Sequence, residues 1–189
     1  MNILIISGSV RTGRKSHDVA VELQKRFIRQ GQMQTHVLDL AEYRLPVLEE
    51  KFLSGSGDMP AGLHEIQQQL DAADAMIFLS PEYHGSYSGA LKNAIDYFWK
   101  EFSRKPIGVV AVASGRFGGI NASTEMQQLV LSLGAFPMPY KLLIPMVQNA
   151  FDESGNIVED FLSKNFDKFV EDYIWFAEAI NDRKAKIKN

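Results

Sequence analysis

The 189-residue chain is 46% hydrophobic and 23% charged, with a formal net charge of −3, a composition that suits one folded core and falls short of two full domains. The mild acidity argues against a nucleic-acid partner, whose binding face would tilt the domain strongly basic. With no cysteine, disulfides, thiolate catalysis and cysteine metal sites are excluded; with no leader-like start and no membrane-length apolar run, a soluble cytoplasmic protein is expected.

Residues 2–17, NILIISGSVRTGRKSH, organise the rest. Ile3, Leu4, Ile5 and Ile6 read as a strand buried on both faces. A loop of hydroxyl, glycine and basic residues follows, and residues 18–29 then place Val19, Ala20, Leu23 and Phe27 on one helical face. A loop at the carboxyl end of a strand and the start of a helix offers free N–H groups and a positive dipole end to an anion. Ser7, Ser9, Arg11, Thr12, Arg14, Lys15 and Ser16 add donors. Arg11 is the foremost phosphate contact, while Arg14 and Lys15 read as solvated charges. The glycines at positions 8 and 13 fit neither the dinucleotide fingerprint nor, with Arg14 intruding before Lys15, the phosphate-loop signature.

A second strand is expected over 35–40, with Asp39 serving the strand end. A long surface loop covers 41–60, and a helix over 61–72 turns Leu63, Ile66 and Leu70 inward. The third strand, 75–79, runs into the loop 80–89, SPEYHGSYSG, and a helix from 90 to about 101. A fourth strand over 106–113 leads into the glycine loop 114–119 and a helix over 122–133. A short strand over 141–144 precedes a final helix ending near Ile180, and 183–189 reads as a frayed tail on a single domain spanning 1–189.

Strands alternating with helices give an α/β, three-layer α/β/α architecture with a five-stranded parallel sheet of order 2-1-3-4-5. That order sets the loops 7–16 and 80–89 across one crevice at the switch point, with 114–119 beside them. Anion donors, rigid aromatic backbone and glycine backbone together suit a flat ring bearing one phosphate, better matched by flavin mononucleotide (FMN) than by a dinucleotide. No His, Asp and Glu cluster has metal-ligand spacing.

Gly8-Ser9-x-Arg11 with Ser16, Ser80-Pro81-Glu82-Tyr83 followed by Gly85-Ser86, and Leu91-Lys92-Asn93-Ala94-Ile95-Asp96 resemble the NAD(P)H-dependent FMN reductase family of flavodoxin-like proteins, over residues 2–144. The resemblance implies that Ser9, Arg11 and Ser16 hold the FMN phosphate. It implies that Pro81, Glu82, Tyr83 and His84, with Gly85 and Ser86, line the isoalloxazine, and that Ser114 and Gly115 flank its other side. His17, which the resemblance also implies as a cofactor contact, and His84 stand where the family usually carries asparagine. The implied activity takes a hydride from NADPH or NADH onto FMN and passes electrons to a small-molecule acceptor: free flavin, a quinone, an azo compound or a metal ion. No side chain need act as acid or base, so no catalytic residue is assigned. A homodimer or homotetramer is implied, with Phe98, Trp99, Phe102 and Phe117 as contact candidates. The rivals are a flavodoxin-type electron carrier, which would not turn over nicotinamide, and a phosphate-binding regulatory or hydrolytic protein without flavin.

Overall fold

The computed structural model describes residues 1–31, 33–49 and 60–188. Strands β1 (Asn2–Ser7), β2 (Gln34–Asp39), β3 (Ala75–Pro81) and β4 (Pro106–Val112) are parallel and lie in the order β2-β1-β3-β4. Two short strands, β5 (Phe136–Pro137) and β6 (Leu142–Ile144), both pair with β4, so the order 2-1-3-4-5 holds with a split edge. The expected strand over 141–144 forms as β6; β5 is an addition to the expected sheet, and it ends where Pro139, which has no N–H to donate, follows the last ladder bond, Met138 N to Ile107 O at 2.9 Å.

Alternation along each strand builds two cores. Ile3, Ile5, Ile77, Leu79, Val110 and Val112 face α1 (Ser16–Arg29) and α5 (Asp160–Lys188), where Val19, Leu23, Phe27, Phe166, Phe169 and Tyr173 meet them. On the other face Leu4, Ile6, Met76, Phe78, Ile107 and Val109 pack on α2 (Leu63–Ala72), α3 (Gly89–Asp96) and α4 (Ile120–Ser132). Each buried Leu, Ile or Phe contributes about 1.5–3 kcal/mol, so both layers are held chiefly by this apolar burial. Buried Arg26 also ties α1 to α5, donating to Glu22 Oε1 at 2.6 Å and Ser163 O at 2.8 Å.

Three expectations are corrected. α3 ends at Asp96 instead of continuing to 101, and the chain turns so that buried Glu101 accepts from Trp99 N at 2.9 Å and Gln67 Nε2 at 3.0 Å. Phe98 and Phe102 belong to the core, at 6% and 1% exposure, which removes them as contact candidates; Trp99 and Phe117 are exposed. α5 continues to Lys188, past the expected end near Ile180. Residues 50–59 of the 41–60 loop lie outside the described residues.

Candidate functional site

The three loops converge at the carboxyl end of the sheet because β1 lies between β2 and β3. Gly8 passes closest. Its N–H donates to Leu79 O at 2.8 Å, and its carbonyl accepts from Ser88 Oγ at 2.5 Å. Ser88 also caps α3, accepting from Leu91 N at 3.2 Å, while its own N–H donates to Ser80 Oγ at 2.8 Å. Loops one and two are therefore fixed to each other before any ligand arrives.

Between them opens a cleft of about 290 Å³ lined by residues 9 and 11–16 of the first loop, Pro81, Glu82 and Tyr83 of the second, and Ser114 of the third. Of the expected site residues it gathers Ser9, Arg11, Ser16, Pro81, Glu82, Tyr83 and Ser114, whereas His17, His84, Gly85, Ser86 and Gly115 are not in its wall. Sequence reasoning missed Val147 and Gln148, which close the far side. They reach it because β6 runs beside β4: Val147 N donates to Ala113 O at 3.1 Å, and Gln148 Nε2 to Ser114 O at 3.3 Å. No short-range pattern announces them.

The first loop is a set of unspent donors. Among the described residues, no backbone N–H from 9 to 15 donates to a protein oxygen, and α1 begins without a side-chain cap. Ser16 is 3% exposed and its hydroxyl has no partner. Buried polar groups are normally bonded, so such a hydroxyl at a helix start marks a place for an acceptor. Arg11 is exposed over the Tyr83 ring, its guanidinium carbon 5.8 Å from the centroid, and Ser9 Oγ lies 3.4 Å from Tyr83 Oη.

Arg14 departs from its expected solvated role. Its guanidinium pairs with buried Asp39, whose Oδ2 also lies 3.1 Å from His17 Nδ1 and whose Oδ1 accepts from Ala41 N at 3.1 Å. Asp39 thus serves the strand end, holding Arg14 and His17 at the base of the loop; Arg14 and Lys15 still line the cleft, and Arg11 is the cation that lies over Tyr83. Lys15 is half-exposed and, among the described residues, pairs only with Asp18 at 3.3 Å, a contact of the kind worth less than about 1 kcal/mol.

The second loop folds as a two-residue hairpin. Tyr83 N donates to Ser86 O at 2.8 Å and Ser86 N to Tyr83 O at 3.0 Å, with positive φ at His84 (51°) and Gly85 (81°). Positive φ at both central residues defines a type I′ turn, which asparagine, aspartate or histidine followed by glycine tolerates best. His84 and Gly85 therefore shape the turn. Tyr87 packs on the α3 core face, where desolvation pushes its phenol above the usual range despite nearby Lys92. The Glu82 carboxylate is taken up elsewhere: its Oε2 accepts from Asn121 N at 3.0 Å and Ala122 N at 3.1 Å at the start of α4.

Fold and cleft define a flavodoxin-like protein with a donor-lined cleft at its switch point. The chain matches the NADPH-dependent FMN reductase family over residues 1–149, and it belongs to that family. It is 31% identical over 165 residues to an NAD(P)H-dependent FMN reductase of Pseudomonas aeruginosa, covering 85% of this chain and 86% of that one. It is 32% identical over 145 residues to an NADPH azoreductase of a Bacillus species, with 76% of each covered. In fold it is similar to a flavoenzyme NAD(P)H:(acceptor) oxidoreductase of Paracoccus denitrificans, with a TM-score of 0.80 at 23% identity, covering 94% of this chain and 97% of that one. The chain is an FMN-dependent NAD(P)H oxidoreductase.

The donor set fits that cofactor. Unspent N–H groups, an orphaned buried hydroxyl and the Arg11 guanidinium match a phosphate dianion, and Pro81, Tyr83 and Val147 add apolar surface to the same cleft. Among the described residues no group of three His, Asp or Glu could hold a metal, and no helix is long and apolar enough to cross a membrane.

Proposed function

We propose that Ser9, Arg11 and Ser16, with the N–H groups of residues 9–15, hold the FMN phosphate. The isoalloxazine then lies between the Tyr83–Ser86 hairpin and the loop carrying Ser114 and Gly115. The observation that carries this reading is the buried, unpartnered Ser16 hydroxyl at the uncapped start of α1. Bound FMN supplies the hydride-accepting and hydride-donating chemistry. The protein contributes position: Gly8 and Ser88 hold the phosphate loop against β3, Tyr83 presents a flat face, and the open side of the cleft leaves room for nicotinamide and then acceptor.

The acceptor is a small aromatic oxidant, an azo compound or a quinone, a reading supported by the azoreductase relative. The enzyme works in the cytoplasm as a homodimer or homotetramer, a reading to which the exposed Phe117 and Trp99 lend support. The first experiment is the visible spectrum of the purified protein with FMN added, before and after anaerobic NADPH or NADH. Bound flavin that bleaches promptly is the expected result. Flavin that binds without bleaching points to an electron carrier, and failure to bind flavin refutes the reading of the cleft. Light scattering at micromolar concentration reads the assembly state.

A further inference from the structure

Glu82 stands in the cleft wall, yet its carboxylate is spent on a helix that begins 38 residues downstream, at Ile120. The N-cap of α4 is Gly119, which has no side chain with which to satisfy the first N–H groups, so two of them turn to Glu82 Oε2 instead. The Glu82 N–H donates to Val112 O at 2.9 Å, anchoring the residue to the end of β4. A second tie joins the same elements: the Ser86 hydroxyl donates to the Glu125 carboxylate on α4. The hairpin of loop two and the glycine loop that leads into α4 are thereby one unit. Among the described residues no cation pairs with Glu82, so its charge is set against the helix amides alone.

The start of a helix carries roughly half a positive charge. Pointed at a flavin site, that charge would favour the electron-rich reduced ring; a carboxylate on the same amides opposes it. We propose that Glu82 is a positioning residue that locks the two ring-flanking loops together and cancels the electropositive start of α4, holding the reduction potential of bound flavin low. A low potential keeps the reduced enzyme a strong donor to its acceptor. The inference rests on the proposed placement of FMN.

A single oxygen of Glu82 takes both N–H groups, so a glutamine carbonyl with its two lone pairs can reproduce the bonds while removing the charge. The experiment compares full-length wild type, Glu82→Gln and Glu82→Ala by hydrogen exchange of the Asn121 and Ala122 amides without flavin, by FMN dissociation constant, and by flavin midpoint potential. Glu82→Gln is expected to keep amide protection and FMN affinity within about threefold of wild type. Its potential should rise so that the reduced-to-oxidised ratio at fixed poise increases about tenfold, roughly 30 mV for two electrons. Glu82→Ala should speed exchange at both amides and weaken FMN binding, each roughly tenfold. An unchanged potential in Glu82→Gln overturns the charge cancellation, and protected amides or wild-type FMN affinity in Glu82→Ala overturns the locking role. If wild type itself fails to take up FMN, the placement of the cofactor is refuted, and amide exchange still decides whether Glu82 holds α4.

Discussion

Gly8→Ala tests the seam between the first two loops. A Cβ at Gly8 would stand 2.9 Å from Leu79 O, 2.9 Å from Leu91 Cβ and 3.3 Å from Ser88 Oγ. Contact between carbon atoms is comfortable only from about 3.5 Å. Neither of the two closest atoms sits at the end of a flexible side chain, so the loop must retreat from β3. Retreat stretches the bonds from Gly8 N to Leu79 O and from Ser88 Oγ to Gly8 O. Overpacking of this kind costs about 1–3 kcal/mol, and each of the two weakened hydrogen bonds about 1 kcal/mol more. A total of about 3–5 kcal/mol lowers Tm by roughly 6–20 °C for a chain of this size. Gly115→Ala is the control, since its Cβ would meet nothing within 4 Å and its φ is not positive; its stability should stay within about 0.5 kcal/mol of wild type. Thermal unfolding of the flavin-free proteins makes the comparison without any appeal to the cofactor. Equal Tm values for the two alanine variants would refute the account of the seam.

Arg11→Ala should weaken FMN binding by about 1–3 kcal/mol through loss of a charge-assisted contact, while riboflavin, which lacks the phosphate, binds both forms equally; fluorescence titration with each flavin reads the difference. His84→Val, which puts a β-branched residue at a φ of 51°, should cost about 1–2 kcal/mol in urea unfolding, whereas His84→Asn should be neutral or stabilising. Tyr173→Phe removes a buried hydroxyl that donates to Met76 O at 2.5 Å and reaches Pro106 O at 3.3 Å. It should cost about 1–2 kcal/mol and leave FMN affinity unchanged. Burial raises the Tyr173 phenol well above its ordinary value of 10.0. Its contribution is therefore intact below pH 10 and lost as pH climbs beyond, where the unfolded chain releases the proton first. Stability measured from pH 9 upward should fall less steeply in Tyr173→Phe than in wild type.

The frame of the molecule is legible because its strands are unbroken apolar runs. Ile3 to Ile6 and Ala75 to Leu79 bury every residue, as strands covered on both faces must. Once five strand–helix units are counted, the 2-1-3-4-5 order brings the three loops together, and the cleft contains Ser9, Arg11, Ser16, Pro81, Tyr83 and Ser114 as expected. The errors arise where local pattern and tertiary demand part. Phe98 and Phe102 read as subunit-contact candidates on a helix running to about 101, but the chain turns at Tyr97 and folds both rings into the core, where Phe102 packs edge-on against Phe78 with centroids 5.8 Å apart.

What fixes the site is written in pairs that no window of sequence spans. Arg14 reads as a surface cation until Asp39, 25 residues away, lies beneath it; Glu82 reads as a ring-lining residue until α4 arrives 38 residues on. In both cases an ionisable side chain that a motif would spend on the ligand is spent on the scaffold, because a helix start or a buried carboxylate left unpaired costs more than a solvated charge gains. His84 is a further case: it reads as a ring-lining residue, and the structure spends it on a type I′ turn, where a histidine before glycine takes the positive φ that asparagine would. Its substitution for asparagine is thus first a matter of turn geometry. By the same reasoning, changes at His17 should reach FMN only through the Asp39–Arg14 pair beneath the loop, since its ring nitrogen faces that carboxylate and stands outside the cleft wall.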